Sequence, residues 1–254
     1  MDDLTHYPVL VFALSFIGLW LAAWIGAVVR KKRGDPAEDF SQDYGMVLGA
    51  TLTLLGLVIG FTFSMAINRY DQRKNYEEAE ANAIGTEYVR ANLLPVADAA
   101  KVQDLLKRYL EQRILFYETG PQQIGQIDAA TGQLQAAMWL AVLGPAAAQP
   151  TPVVALAVAG MNDVLNSQGY TQAAWWNRIP AAAWALMAAI AICSSWLVGY
   201  GSHNSREGAR LLLVLPLVVS IAFMLIADID APRHGLIKVM PQNLISLSES
   251  LRPH

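Results

Sequence analysis

Thr53, Leu57 and Phe61 recur every four residues, which on a helix sets them one above another along a single face. Such a file needs no acid, base or nucleophile. Its chemistry is that of a lining, and a constriction of the Leu57 and Phe61 type gates a pore by dewetting. Gly56, Gly60 and Ser64 repeat at the same interval on an adjoining face, where small side chains let another helix approach closely. The spacing leaves two readings open: close packing inside one bundle of spans, or copies of this helix gathered around an axis.

A second group is charged. Arg69, Asp71, Arg178, Asp228, Asp230 and Arg233 all fall just beyond the ends of apolar stretches, at one membrane interface. Three arginines and three aspartates there can pair, and unpaired charges at that depth are costly. The same residues serve equally well as interfacial anchors that snorkel. Asp71, Glu77, Glu78 and Glu80 follow the second apolar stretch and would favour cations if they faced a pore, whereas a ring of Thr53 favours neither sign.

Covalent chemistry finds no foothold. There is no Ser-His or Cys-His arrangement in register, no metal-binding helix motif and no phosphate-cradling glycine loop, so no catalytic residue, metal site or cofactor is assigned. Ser194 and Ser195 read as helix-packing residues. Cys193 is the only cysteine, which excludes an intrachain disulfide framework. The histidines His6, His203, His234 and His254 are too scattered to form a ligand cluster. A net charge of −3 gives no basic patch for nucleic acid.

These residues must be carried by membrane spans. The 254-residue chain is 54% hydrophobic and only 15% charged, against about 25% charged in soluble domains. Its apolar residues are gathered in four blocks: Val9 to Val29, Met46 to Ile67, Pro180 to Tyr200 and Leu211 to Ala227, the last with Pro216 as a kink. Each approaches the roughly 20 residues a helix needs to cross the hydrocarbon. The first is a span and not a cleaved leader: Asp2 and Asp3 precede it instead of a basic region, and Arg30-Lys31-Lys32-Arg33 follow as a stop-transfer cluster.

Residues 68–179 form an inserted helical domain, and the fold class is all-α. The second span runs on as a long helix that stops before Pro95. Val96 to Glu118 places Val102, Leu105, Leu106, Tyr109, Leu110 and Phe116 at helical spacing. Two further helices, about Gln122 to Leu143 and Pro152 to Gln168, are separated by a linker from Gly144 to Pro150. Met138 to Leu143 and Val153 to Val158 read as core faces of this domain, not as a fifth span. Residues 228–254 form a tail on the domain's side, and Met240 to His254 read as a mobile polar extension.

Four spans put both termini and the domain on one side. Four basic residues follow the first span and none precedes it, and Arg206 and Arg210 lie in the other short loop. The positive-inside rule therefore places the short loops in the cytoplasm and the domain outside it.

Gly60-Phe61, followed after seven residues by Arg69-Tyr70 and then Arg73, resembles the bestrophin channel pattern, in which Gly-Phe precedes an Arg-aromatic pair. Asp228-Ile229-Asp230-Ala231-Pro232-Arg233-His234-Gly235-Leu236-Ile237 resembles the bacterial bestrophin-like family of four-span membrane proteins. So do Arg178-Ile179-Pro180 and Glu80-Ala81-Asn82-Ala83-Ile84-Gly85, and the resemblance runs from Tyr44 to about Leu247. It implies a homo-oligomer, pentameric as bestrophins are, in the bacterial inner membrane. The second helix of each subunit would line a central path for inorganic ions. The three apolar neck positions of bestrophins fall on Thr53, Leu57 and Phe61, and Thr53 departs from the pattern. Asp71 stands where a second aromatic is common, and no acidic run resembles the calcium clasp of animal bestrophins. Anion passage and a cytoplasmic domain are implied by the resemblance alone, the latter against the charge count. The competing function is a non-conducting sensor or scaffold whose helical domain binds a partner, with Trp175 and Trp176 as its contact; the same pair also reads as an aromatic belt at the bilayer surface.

Overall fold

A chain crossing hydrocarbon must satisfy its backbone within itself, and only a helix does so segment by segment. The computed structural model describes residues 7–33, 38–202, 206–233 and 235–252, without the side chains of 33, 38–42 and 206–211. Asp2, Asp3 and all four histidines lie outside the described residues, as do the side chains of Arg33, Arg206 and Arg210. The elements are α1 (Pro8–Arg33), α2 (Glu38–Arg90), α3 (Val96–Glu118), α4 (Ile124–Ala148), α5 (Pro152–Trp176), α6 (Ala181–Gly201), α7 (Arg206–Asp230) and α8 (Gln242–Ser250). Among the described residues there is no strand. Four stretches among the described residues are long and apolar enough to cross a membrane, within Pro8–Lys32, Asp43–Leu93, Pro152–Gly201 and Leu212–Asp230. α2 is one helix of 53 residues, about 80 Å long at 1.5 Å per residue, so its apolar window fills less than half of it.

The chain divides into two units: Met1–Tyr70 with Arg178–Lys238, and Asp71–Asn177 with Val239–His254. In the first, α1 packs on α6 and α7. The core there joins Leu19 of α1, Leu55 and Ala66 of α2, Met187 and Ala191 of α6, and Val219, Phe223 and Ile226 of α7. Leu55, Ile59, Thr62 and Ala66 form the inward stripe of α2; Leu55, Thr62 and Ala66 are buried, and Ile59 packs against the cluster. The closest approach of helices is made by Gly26 and Gly199. A Cβ at Gly199 would run into the Ala23 carbonyl, and one at Gly26 into that of Trp196, so α1 and α6 touch backbone to backbone.

In the second unit α3 packs on α4 and α8, and α4 on α5. Val102, Leu105, Leu106, Tyr109, Leu110 and Phe116 are all buried, as their spacing predicts. Met138 and Val142 of α4 and Val154, Ala157 and Met161 of α5 join the buried set. Three expectations are corrected here. α4 continues through Gly144-Pro145 to Ala148, leaving only Gln149 to Thr151 as linker. Pro145 sits in the final turn, where a missing N–H costs one bond, and its own carbonyl still accepts from the Gln149 N–H at 2.9 Å. α5 runs on to Trp176, past Gln168. The polar extension from Met240 contains α8, whose Leu244 is fully buried.

Candidate functional site

On α2 the side opposite the inward stripe is bare. At 100° per residue, Thr53, Leu57, Gly60 and Ser64 lie across the helix axis from Leu55, Thr62 and Ala66, and Phe61 lies beside them. Leu57 is 53% exposed and Phe61 67%, large apolar side chains left uncovered. Among the described residues, no atom of another helix lies within 4 Å of a Cβ added at Gly56 or Gly60. The close helix contact within the first unit is made by Gly26 and Gly199. The Thr53 hydroxyl donates to the Gly49 carbonyl at 2.8 Å, which spends its proton inside the helix. The face thus offers aliphatic, aromatic and glycine surface without a charge.

Beyond the apolar window, within the second unit, Arg73, Glu77, Glu80, Ile84, Glu87 and Ala91 are all buried. Arg73 donates from Nε to the Ala174 carbonyl at 3.2 Å and from Nη2 to that of Asn177 at 3.3 Å, placing a cation at the C-terminus of α5. Glu77 accepts from the N–H groups of Asn243 and Leu244, each at 3.0 Å, and from Asn243 Nδ2 at 2.7 Å, so its carboxylate caps α8. Glu80 accepts from Arg113 Nε at 2.5 Å and Nη2 at 3.4 Å and from Thr171 Oγ1 at 3.1 Å. Burial works to lower the Arg113 pKa, but Glu80 overrides it and holds the guanidinium above its ordinary value. Burial raises the phenols of Tyr109 and Tyr117 well above their ordinary range, and Glu80 adds to the rise. Glu77 and Glu80 are thus structural, not part of an acidic pore lining; Asp71 and Glu78 stay exposed.

Glu87 differs from these. It is fully buried against Gly160, where a Cβ would collide with its Oε2, and neither carboxylate oxygen has a hydrogen-bond partner. Burial pushes its pKa from 4.5 up to about 8, with Arg90 opposing and Asp163 adding. The folded form therefore holds a proton that the unfolded chain releases. The stability this group contributes is complete below pH 4.5 and is lost as pH rises toward 8. In thermal unfolding of purified wild type against Glu87→Gln, the wild type should lose melting temperature relative to the variant across that interval. A constant difference between the two would contradict the assignment.

Arg69, Arg178, Asp228, Asp230 and Arg233 belong to the first unit and Asp71 to the second. Asp228 and Asp230 are buried and accept from backbone. Asp230 takes the Ile179 N–H at 3.2 Å, and Asp228 takes those of Leu236 and Ile237 at 2.7 and 2.9 Å. The aspartates therefore build the turns at the span ends, and Arg178, Asp230 and Arg233 make further contacts besides. Arg69 keeps one guanidinium nitrogen, Nη1, enclosed without an acceptor. Trp175 is buried against Phe116 and Tyr117 at ring distances of 5.0 and 5.5 Å, which makes it core of the second unit and not an aromatic belt; Trp176 is exposed.

Sequence reading passed over Arg113, Glu87, Gly26 and Gly199. A signal existed for Glu87: Arg73, Glu77, Glu80, Ile84, Glu87 and Ala91 follow a helical period and so share one face. Nothing local separates Gly26 from Gly18, which meets open space.

Four apolar helices with an inserted helical unit define a multi-pass all-α membrane protein. The chain belongs to the bestrophin-like family: the family model, described as a Bestrophin-like domain, matches residues 9–244. Its fold is similar to crystal structures of a bacterial bestrophin homolog from Klebsiella pneumoniae. One of these, a tyrosine-to-alanine mutant, has a TM-score of 0.65 and 12% identity, and the match covers 93% of this chain and 98% of that one. Another has a TM-score of 0.63 and 13% identity, covering 96% and 99%. At such identity the likeness concerns the fold. No curated protein matches the chain.

Proposed function

We propose that this protein is an ion channel: a homo-oligomer, pentameric by its family, whose α2 helices surround a central pore. The observation that carries the reading is the uncovered apolar face of α2, with Leu57 and Phe61 more than half exposed and open space over Gly56 and Gly60. In the assembly Gly56, Gly60 and Ser64 allow neighbouring copies to approach, and Thr53, Leu57 and Phe61 form the neck. With the Thr53 proton spent on Gly49, it is Leu57 and Phe61 that present surface that water leaves readily, which suits a gate that opens by wetting.

The test is flux from liposomes loaded with anions or cations, alongside light scattering on the purified protein. Phe61→Ala and Leu57→Ala widen and wet the constriction, so each should raise flux several-fold, and the pair more than either alone. Unchanged flux would discard this neck. A monomer or dimer in detergent and nanodiscs would discard the pore and favour the sensor or scaffold reading, with exposed Trp176 as a contact.

For orientation we follow the charge asymmetry of the first span, which puts the helical unit on the extracytoplasmic side of the bacterial inner membrane. Alkaline phosphatase fused after residue 252 should then be active and a fused green fluorescent protein dark. The reverse result would give the cytoplasmic placement of bestrophins.

A further inference from the structure

The apolar stretch of α7, Leu212–Asp230, has 19 residues, about 28 Å of helix, close to the thickness of the hydrocarbon layer. Asp228 therefore lies in the last turn of the span, at one edge of the bilayer. The chain beyond it folds back on this turn. The Ala231 N–H bonds the Ala227 carbonyl at 3.0 Å, and the Gly235 N–H bonds that of Ala231 at 3.1 Å. Leu236 and Ile237 then return their N–H groups to the two oxygens of Asp228, at 2.7 and 2.9 Å. Only glycine fits at 235, because a Cβ there would run into the Asp228 carbonyl oxygen. The carboxylate is itself buried, so the turn is clamped from inside the protein.

This clamp displays aliphatic surface at a defined depth. Leu236 is 95% exposed, Ile237 is also exposed, and the Lys238 side chain beside them is open. We propose that residues 235–238 form a lipid-contact turn. Leu236 and Ile237 enter the acyl-chain edge, and the Lys238 ammonium reaches outward to headgroup phosphate. The depth set by Asp228 and the order aliphatic, aliphatic, lysine both fit a bilayer interface, where apolar bodies lie inward and cations snorkel out. The inference is independent of whether the protein conducts ions.

The experiment uses full-length protein in vesicles of phosphatidylethanolamine and phosphatidylglycerol, in a Cys193→Ser background. A nitroxide is attached at Leu236→Cys or, separately, at Lys238→Cys, and its collisions with oxygen and with a water-soluble nickel chelate are compared. At Leu236→Cys oxygen should dominate several-fold; at Lys238→Cys the two should be nearly balanced. Both label positions are exposed, so neither variant disturbs the core. Nickel reaching Leu236→Cys as freely as a label at exposed Asn82→Cys would overturn the proposal by placing the turn in water. If neither reagent reached it, a second protein copy and not lipid would be the occupant.

Discussion

Glu80→Ala should cost the second unit about 3–5 kcal/mol, the expected loss when one partner of a buried pair is removed and the other is left charged. Both side chains of the Glu80–Arg113 pair are fully buried. Arg113 stacks its guanidinium over Phe116 at 4.4 Å, and Thr171 completes the carboxylate's bonds. Without Glu80, the guanidinium keeps its ring contact and loses its counter-ion. The discriminating control is the double variant Glu80→Leu with Arg113→Met, since replacing a whole buried pair by apolar groups of similar size is often neutral. Thermal unfolding of the purified protein should show a large loss for Glu80→Ala and substantial recovery in the double variant. A single variant within 1 °C of wild type would mean that water reaches the pair.

Gly199→Val should be the most damaging single change within the spans. The Cβ position at Gly199 is already occupied by the carbonyl of Ala23, and backbone cannot rotate away as a side-chain tip can. α1 and α6 would have to separate, losing the reciprocal contact at Gly26, where the Tyr200 backbone nitrogen lies 2.8 Å from the corresponding Cβ. Overpacking usually costs about 1–3 kcal/mol, and an obstruction by main chain belongs at the upper end of that range or beyond. Gly18→Ala makes the control, because open space surrounds Gly18 and alanine favours helix by roughly 1 kcal/mol. Monodisperse yield and melting temperature should fall sharply for Gly199→Val and hold or rise for Gly18→Ala. Equal behaviour of the two would refute the backbone contact.

Much of this architecture is local, which is why it can be read from the order of residues. Span number depends on apolar length, the inserted unit on where charges return, and the α3 core on a period that Val102, Leu105, Leu106, Tyr109, Leu110 and Phe116 keep to. The extent of α4 was less legible. Gly144-Pro145 reads as a break, but the surrounding helix persists because a proline in a final turn removes little.

What covers each face was decided only in the tertiary structure. Periodicity groups Thr53, Leu57, Gly60 and Ser64 on one side of α2 and Leu55, Thr62 and Ala66 on the other, and both sides are rich in small or apolar residues. Which side joins the buried cluster with α1, α6 and α7 depends on the partners. The same holds for the carboxylates beyond the span. Glu77, Glu80 and Glu87 resemble a solvated helix face in sequence, yet burying them depends on donors that arrive from far along the chain. Glu80 finds Arg113 at a separation of 33 residues, and Glu77 finds the α8 N-terminus at 166. Glu87 finds none, and burial raises its pKa to about 8. A charge is stable inside a protein only where something distant neutralises it, and residue order alone does not show which distant group will be there.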